Sequence, residues 1–385
     1  MAGYPLEGLR VLELGRVLAG PWAGQLLADL GADVVKVERP GVGDETRGWG
    51  PPFLEDKAAY FCAANRGKRS IAIDLAAPAG AALARQLACK ADVVIENFKA
   101  GALARYGLDE TSLRSLAPGL IYCSITGFGQ SGPDSERPGY DFVIQAMSGL
   151  MSITGDASGA PQKVGVAVSD LMTGLYAVNA ILAALRQRDA TGLGQHIDMA
   201  LFDCQLAGLA NQAANYLASG QAPTRLGNAH PNIVPYQTFA TADGTIVVAA
   251  GNDAQFRRLA HALELPELVD DARFASNASR LAHRRALSAH LQRRFQQAPT
   301  AHWTATLRAS GVPAGPVNDV AAAFAEPQAA HRQMLQTLAG PSGQSVPTVR
   351  CPIRYADSPT GSNRPPPSLG EHTQEVLADW LGTEP

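Results

Sequence analysis

The N-terminal segment alternates between patterns that favour strands and a pattern that favours a helix. Apolar and β-branched residues predict strands over 10–14 and 33–38, and the stretch from Pro21 to Leu30 predicts a helix between them. Parallel strands need a crossover connection, usually a helix, so this order indicates the start of a parallel α/β sheet. The turn over 15–21 reads Gly-Arg-Val-Leu-Ala-Gly-Pro and lacks the G-x-G-x-x-G pattern of dinucleotide-binding folds, so we do not expect a nicotinamide cofactor.

The same alternation continues until the composition changes. Linker-like sequences near 219–225 and 311–325 enclose a region with a different pattern. This region opens with two predicted strands joined by Asp243-Gly244, a dipeptide typical of hairpin turns, and continues with helices. We therefore predict a small α+β domain over 225–318 beside a large α/β domain. The further strands predicted for the large domain are 71–75, 92–96, 120–125 and 195–199.

Composition argues against several functional classes. Of 385 residues, 46% are hydrophobic and 17% are charged, which is typical of a soluble globular protein, and a net charge of −3 argues against general nucleic-acid binding. We see no run of about 18 apolar residues and no targeting leader, so we expect no membrane span and a cytoplasmic location. The five cysteines and eight histidines lack metal-ligand spacing, so we expect free thiols and no metal.

One carboxylate stands at a predicted strand-to-helix junction. Residues 166–168 predict a short strand and 171–186 predict a helix, which leaves Asp170 at the helix N-terminus. The helix dipole and the unpaired N–H groups there favour an ionised carboxylate by roughly 0.3–1 kcal/mol. Asp170 alone is compatible with an ordinary N-cap as well as with a charged group that faces a ligand.

Cations, amides and glycines cluster in four other loops beside predicted strands. Ligands of α/β sheets gather at the carboxyl ends of strands, so Arg39, just after the second strand, is well placed to meet an anion. The basic loop 65–70, Asn-Arg-Gly-Lys-Arg-Ser, could either wrap phosphates or form a solvated turn. The other two loops are 97–105, with an Asn, a Phe and an Arg, and the glycine-rich 126–133.

These residues resemble the class III CoA-transferase family over nearly the whole chain, from Leu6 to about Leu381. The motifs that carry the resemblance are Arg16-Val17-Leu18-Ala19-Gly20-Pro21, Lys36-Val37-Glu38-Arg39-Pro40, Arg66-Gly67-Lys68-Arg69-Ser70-Ile71, Glu96-Asn97-Phe98, Gly139-Tyr140-Asp141, Ser169-Asp170 and Leu369-Gly370-Glu371-His372-Thr373. Within the family, the sequence is most similar to members that exchange CoA between succinate and glutarate. That similarity is found at Asp44-Glu45-Thr46-Arg47, Trp49-Gly50-Pro51-Pro52, 230–237 and Glu326-Pro327-Gln328.

The resemblance implies an interlocked homodimer. Its large Rossmann-like domain is built from both chain ends, 1–220 and 320–385, with the small domain inserted between them. The resemblance also implies that Asp170 is the catalytic nucleophile and that CoA thioesters are substrates, with no permanently bound cofactor. The positions that match the family's CoA contacts are Arg39, Ser70, Ile71, Ala72, Ile73, Asn97, Phe98 and Arg105, and Arg69 is a further candidate for the phosphates.

The reaction implied is transfer of CoA from an acyl-CoA donor such as succinyl-CoA to a dicarboxylate such as glutarate through an aspartyl-CoA thioester. A carboxylate nucleophile is already ionised at its ordinary pKa of about 3.9 and needs no general base. Backbone N–H groups near Gly227 are candidates for stabilising the oxyanion, and Arg47 and His230 for holding the acceptor's distal carboxylate. Formate or oxalate chemistry is less expected, because formyl-CoA transferases have Gln at the position of Leu18.

Three alternatives stay open. A CoA-transferase of this type could act on another carboxylic acid. A 2-methylacyl-CoA racemase of the same fold pairs the Asp with a His at the position of Tyr140, so its acid–base partner is missing here. A non-catalytic CoA-binding protein would have lost the nucleophile, whereas Asp170 is present.

Overall fold

The computed structural model describes residues 3–54, 56–340 and 343–383, and over these the chain alternates strands with helices. The strands are β1 (Arg10–Glu13), β2 (Asp33–Glu38), β3 (Phe53–Leu54), β4 (Lys57–Ala58), β5 (Arg69–Ala72), β6 (Val93–Glu96), β7 (Ile121–Thr126), β8 (His196–Ala200), β9 (Tyr236–Ala240), β10 (Thr245–Ala249), β11 (Ala314–Pro316), β12 (Leu335–Ala339) and β13 (Ser345–Val349).

The helices cover both faces of the main sheet and most of the inserted region. They are α1 (Ala19–Asp29), α2 (Ala59–Ala64), α3 (Pro78–Ala88), α4 (Glu110–Leu116), α5 (Asp141–Met147), α6 (Leu150–Ile153), α7 (Val168–Thr191), α8 (Leu201–Gly208), α9 (Ala210–Ser219), α10 (Asp253–Ala262), α11 (Glu267–Asp270), α12 (Asn277–Ala282), α13 (Arg284–Phe295), α14 (Thr300–Ala309), α15 (Val320–Ala325), α16 (Pro327–His331) and α17 (Thr373–Leu381). Short 3₁₀ turns lie at Glu45–Gly48 and Ala104–Tyr106.

The predicted parallel α/β sheet is confirmed. Six strands lie in the order β5-β2-β1-β6-β7-β8 and every pair is parallel. β1 is central, and its Val11 aligns with Val34 of β2 and Val93 of β6. Side chains alternate between the faces, so Val11 joins a core with α1 and α7 whereas Leu12 joins a core with α3 and α17. Both faces are therefore covered, which explains the unbroken apolar runs of these strands.

A buried ion network lies at the end of β1. The Glu13 carboxylate accepts hydrogen bonds from Lys36 and Lys68, and the Lys36 ammonium also lies 3.0 Å from a carboxylate oxygen of Asp44. All four side chains are buried. Burial alone would lower the pKa of Lys36, but the carboxylates of Glu13 and Asp44 outweigh it and raise that pKa. Burial dominates at Lys68 and lowers its pKa to about 8.

The other two cations of the basic loop are also paired with carboxylates, so this segment is not a solvated turn. Arg66 binds Asp29 of α1 with an N–O distance of 2.5 Å. Arg69 binds Asp33 at 2.5 Å and also two carboxylates of α17, Glu375 and Asp379. These pairs attach the C-terminal helix to β5, and they correct the prediction that Arg69 holds CoA phosphates, because its guanidinium already meets three carboxylates.

The contacts divide the chain into two units. The first comprises 1–150, 163–221 and 327–385, and the second comprises 151–162 and 222–326. The second unit contains the antiparallel sheet β9-β10-β11 over a core that includes Phe239 and Trp303. The segment 151–162, predicted to lie in the large domain, packs with the second unit. The predicted linker 311–325 is ordered as β11 and α15.

Two pairs of consecutive helices are separated by a single residue. α8 and α9 are interrupted at Leu209, next to Ala210, which adopts a left-handed conformation with φ of 46°. α12 and α13 are interrupted at His283. The sequence pattern does not reveal such a break, because the apolar positions keep a helical spacing on both sides of it.

Helix α7 is long and apolar enough to span a membrane by length and composition, with a mean hydropathy of 1.5 over its most apolar window. No such segment was expected from the sequence. One face of α7 is buried against the sheet, with Ala177, Ile181 and Ala184 in the core. This packing is that of a core helix in a soluble protein. The five cysteines are free thiols, four of them buried.

Replacing Glu13 by Gln is expected to lower the free energy of unfolding by about 3–5 kcal/mol, because it leaves two buried ammonium groups with one carboxylate between them. Urea unfolding monitored by circular dichroism measures the change, with Glu7→Gln on an exposed side chain as the control. A loss of less than about 1 kcal/mol would contradict the role assigned to the network.

Candidate active site

Asp170 lies in the first turn of α7. The helix begins at Val168, so the strand predicted for 166–168 is wrong, and the Val168 N–H donates instead to the Val166 carbonyl in a turn. The residue before the helix, Ala167, has no side chain that can cap the N-terminus. Asp170 is therefore not the N-cap, and its carboxylate is not used to satisfy the free N–H groups of its own helix.

Asp141, the first residue of α5, satisfies those groups from outside the helix. One oxygen of its carboxylate accepts the Ser169 N–H at 2.7 Å and the Asp170 N–H at 3.4 Å. The other oxygen accepts from the buried side-chain amide of Gln145 at 2.7 Å, and the side-chain oxygen Oε1 of Gln145 in turn accepts the Val164 N–H. Asp141 therefore fixes the backbone on which Asp170 stands.

This arrangement changes the acidity expected for Asp170. Burial raises the pKa of Asp170 to about 7, and the negative charge of Asp141 adds to the effect. From the sequence, we expected the helix dipole to keep Asp170 charged at neutral pH. That expectation fails because Asp141 occupies the N–H groups and places a second carboxylate beside the first. Asp170 is therefore about half ionised at pH 7.

A cavity of about 200 Å³ opens in front of Asp170. Its walls come from the turn after β1, the segment after β6, the loop after β7 and the start of α7. The lining residues are Arg16, Val17, Leu18, Ala19, Glu45, Asn97, Phe98, Lys99, Ala100, Ile125, Thr126, Gly127, Ser135, Arg137, Pro138, Gly139, Tyr140, Asp170 and Leu201. Tyr140 stands on the rim with its side chain 66% exposed. None of these described lining residues is a histidine, so the cavity offers no imidazole partner for a racemase.

The wall formed by 15–18 is strained and tightly held. Val17 has φ of 67°, a left-handed conformation that is unusual for a β-branched residue. Its N–H donates to the Asp44 carboxylate at 3.2 Å. The Asn97 side chain brackets the neighbouring Arg16 backbone, accepting its N–H at 2.8 Å and donating to its carbonyl at 2.6 Å. Since Asp44 also binds the Lys36 ammonium, the buried ion network holds this wall in place.

A second cavity, of about 580 Å³, adjoins the first and shares Arg16, Glu45 and Phe98 with it. Two exposed cations, Arg39 and Arg105, line this larger cavity. Its other lining residues are Leu14, Lys36, Val37, Glu38, Val42, Gly43, Asp44, Ile73, Asp74, Leu75, Ala76 and Tyr106. A cavity with two exposed cations in its lining therefore adjoins the cavity that contains Asp170.

The predicted CoA-contact residues divide into two groups. Arg39, Ile73, Asn97, Phe98 and Arg105 line one or both cavities. The other group, Ser70, Ile71 and Ala72, lies in strand β5 and not in a loop. The Ser70 hydroxyl donates to Glu38 at 2.6 Å, Ile71 is in the core, and the Ala72 N–H faces the Thr373 hydroxyl.

The two residues predicted to hold the acceptor's distal carboxylate, Arg47 and His230, are not among the described residues that line the first cavity. Arg47 donates to both oxygens of Glu38 at 2.6 and 2.8 Å and lies 3.8 Å from the centroid of the Phe61 ring. These contacts outweigh the effect of burial and lower the pKa of Glu38. The Arg47 side chain is thus engaged in structural contacts. This corrects the prediction that Arg47 binds the substrate.

Gly227 and His230 lie in the second unit. Gly227 has φ of 59° and donates its N–H to the Gly155 carbonyl. The His230 ring lies 5.1 Å from that of Tyr236, its Nδ1 accepts the Asn232 N–H, and its carbonyl accepts from Arg284 at 2.6 Å. This loop is anchored within its own unit.

Three residues of this region, Asp141, Arg137 and Tyr60, were not predicted from the sequence as site residues. Tyr60, whose ring packs against Trp49 at 5.2 Å, has a pKa raised by burial and further by the carboxylates of Asp170 and Asp141, so it lies within their field. The pattern Gly-Tyr followed by a carboxylate at a helix start could have indicated Asp141 as a site residue.

Comparison with known proteins agrees with this geometry. The model of the family described as CoA-transferase family III matches residues 6–373. The chain is 53% identical to the succinate–glutarate CoA-transferase of Agrobacterium fabrum, covering 97% of this chain and 95% of that protein. It is 46% identical to the human succinyl-CoA:glutarate CoA-transferase, covering 98% and 86%.

The chain belongs to CoA-transferase family III. It is therefore an enzyme that uses CoA thioesters and carboxylic acids as substrates. A solved structure of a CaiB/BaiF family protein from Brucella suis superposes with a TM-score of 0.88 at 54% identity, covering 98% of this chain and all of that one. The family resemblance and the α/β fold predicted from the sequence are confirmed. Among the described residues, no group of three His, Cys, Asp or Glu is arranged to hold a metal ion.

Replacing Asp141 by Asn is expected to lower the pH at which CoA transfer reaches half its maximum. In the native protein we expect kcat/KM to rise with pH through about 7, as the Asp170 carboxylate ionises. Removing the neighbouring charge leaves only burial to raise the pKa, so the midpoint should fall by up to roughly one pH unit. Asp203→Asn, on an exposed carboxylate of α8, is the matched control.

Stability provides an independent measure of the same pKa. Because folding raises the pKa of Asp170, the protonated form stabilises the fold below about pH 4, and this stability is lost as the pH rises through about 7. The thermal midpoint of Asp170→Asn should therefore exceed that of the native protein more at pH 8 than at pH 5. A constant difference, together with an unchanged activity profile in Asp141→Asn, would contradict the coupling.

Proposed function

We propose that this enzyme transfers CoA from succinyl-CoA to a dicarboxylate, with glutarate as the leading acceptor and Asp170 as the covalent nucleophile. The observation that carries the proposal is the position of Asp170 in a small cavity that adjoins a larger one with two exposed cations. The names of the two relatives described above support the choice of donor and acceptor.

The larger cavity suits the nucleotide part of CoA. Phosphates need Arg or Lys at a few points, and Arg39 and Arg105 offer guanidinium groups there. Phe98 lines both cavities, and the Arg16 guanidinium lies 5.3 Å from its ring centroid. A pantetheine arm that passes this pair would bring the thioester into the smaller cavity, where Asp170 lies.

The proposed chemistry has two anhydride stages. The Asp170 carboxylate attacks the thioester carbonyl of succinyl-CoA and gives a mixed anhydride with CoA thiolate. The thiolate then attacks the aspartyl carbonyl, which releases succinate and leaves an aspartyl-CoA thioester. The acceptor carboxylate attacks this thioester to form a second anhydride, and the thiolate finally attacks the acceptor's acyl carbon, which restores the Asp170 carboxylate. No proton has to be transferred, so no general base is needed.

Positioning supplies much of the rate in such a scheme, since the thiolate stays bound between attacks. Asp141 would hold Asp170 through its two backbone hydrogen bonds. The strained turn at Val17 would form another part of the cavity wall. Backbone N–H groups near Gly227 stay the proposed oxyanion donors, and His230 stays a candidate for contact with the acceptor.

An interlocked homodimer in the cytoplasm is part of the proposal. Large apolar side chains stand exposed on α7, α8 and α9, which supports a protein partner for this surface. They are Leu175, Tyr176, Leu206, Tyr216 and Leu217.

Asp170→Asn is expected to abolish CoA exchange while CoA binding stays within about twofold of native, because the amide keeps the shape but is not a nucleophile. Purified protein is mixed with succinyl-CoA and a panel of C4 to C6 dicarboxylates, and new CoA esters are identified by mass.

Asp203→Asn is again the control and should exchange at the native rate. Exchange by Asp170→Asn above about 1% of the native rate would exclude the covalent scheme. Absence of any new dicarboxylyl-CoA with the native protein would exclude the substrate class instead.

A further inference from the structure

Three cations line the cavity that contains Asp170: Arg16, Lys99 and Arg137. Arg16 is in close contact with the Glu45 carboxylate and also lines the larger cavity, so it is partly neutralised and shared with the CoA side. Lys99 extends from the segment after β6 and also lines a third cavity on that side. Arg137 lines only the Asp170 cavity among those described.

The Arg137 guanidinium is oriented by an aromatic ring, but its positive charge is only weakly neutralised by a carboxylate. It lies 5.4 Å from the centroid of the Phe128 ring, and Phe128 packs on Phe202 at 5.8 Å, so the guanidinium rests on a supported aromatic face. The nearest carboxylate, that of Asp134, is 3.7 Å away, beyond good hydrogen-bond distance. The Arg137 side chain is 46% exposed. Its hydrogen-bond donors are therefore available to an anion in the cavity.

Backbone contacts fix the position of the loop that carries Arg137 relative to Asp170. The loop that carries it begins at Gly127 and ends at Gly139, and a Cβ added to Gly127 would lie 2.7 Å from the Gly139 Cα. The two ends of the loop therefore touch backbone to backbone, which only glycine permits. Two residues beyond Gly139, Asp141 binds the backbone N–H groups of Ser169 and Asp170. Arg137 and Asp170 are thus attached to one another through a short, tightly packed connection.

We propose that Arg137 is the specificity-determining residue that binds the distal carboxylate of the dicarboxylate substrate. The inference rests on the proposed function and replaces the earlier candidate Arg47. One carboxyl group of the acid reacts at Asp170 while the other meets the planar guanidinium fork of Arg137, whose geometry matches a carboxylate.

A single arginine can serve both half-reactions. Succinate leaves the cavity before the acceptor enters, so the distal carboxylates of donor and acceptor occupy the same place in turn. A monocarboxylate of equal length would leave the Arg137 donors without their anion, which is the type of mismatch that discriminates strongly between substrates. Dicarboxylates that differ by one methylene would be discriminated far less.

The test compares two acceptors of equal chain length, glutarate and pentanoate, with succinyl-CoA as the donor. In Arg137→Gln the ratio of kcat/KM for glutarate to that for pentanoate is expected to fall by about 10- to 100-fold. Arg137→Lys, which keeps the charge but loses the fork, should give an intermediate ratio. The donor is common to both reactions, so weaker binding of succinyl-CoA cancels in the ratio.

Arg273→Gln is the matched control. Arg273 also lies over a phenylalanine ring, at 5.1 Å, beside an aspartate two positions before it, and is 52% exposed, but it belongs to the second unit. Its ratio should equal that of the native protein. Thermal unfolding confirms that each variant is folded, and Arg137→Lys provides the ratio if Arg137→Gln does not fold.

Each outcome is decisive. An unchanged acceptor ratio in both Arg137 variants, or an equal loss with both acceptors, would overturn the assignment; the second result would indicate contact with the CoA part instead. A native protein that accepts pentanoate as well as glutarate would also overturn it. Failure of the native protein to use any dicarboxylate refutes the proposed function first, and is seen before any variant is made.

Discussion

The buried contact between Lys36 and the carboxylates of Glu13 and Asp44 is the interaction on which the site depends. It joins the ends of β1 and β2 to the turn that contains Val17, whose N–H the same Asp44 accepts. A left-handed valine costs of order 1–3 kcal/mol and persists only where its surroundings impose it. The ion network supplies those surroundings, and the turn it holds forms one wall of the cavity in front of Asp170.

A second carboxylate controls both the position and the acidity of Asp170. Asp141 occupies the free N–H groups of α7 and so holds the backbone of Asp170 while raising the pKa of its side chain. A carboxylate with a raised pKa is a stronger nucleophile once ionised, although less of it is ionised at neutral pH. The site thus combines a rigid backbone with a nucleophile, Asp170, that is reactive but only partly ionised at neutral pH.

The parallel sheet and the hairpin could be predicted because each has a local pattern, apolar strands for the first and Asp-Gly between two strands for the second. The role of Asp170 was implied by the family resemblance alone, because a carboxylate near a helix start is equally typical of an ordinary N-cap. The roles of Arg69 and Arg47 could not, because their partners lie elsewhere in the chain. Arg69 meets Glu375 and Asp379 only after the last helix docks, and Arg47 meets Glu38 only after the loop folds back. The acidity of Asp170 was misjudged for the same reason, since Asp141 is distant in sequence.

The central claim is that Asp170 carries CoA covalently during transfer. The most direct measurement is the mass of the intact protein and of its Asp170 peptide, after mixing with succinyl-CoA and quenching in acid before any acceptor is added. We expect one CoA attached to Asp170 through a thioester, lost when glutarate is added before the quench and absent in Asp170→Asn. Rapid turnover without such an adduct at any quench time, or an adduct on another residue, would contradict the covalent mechanism.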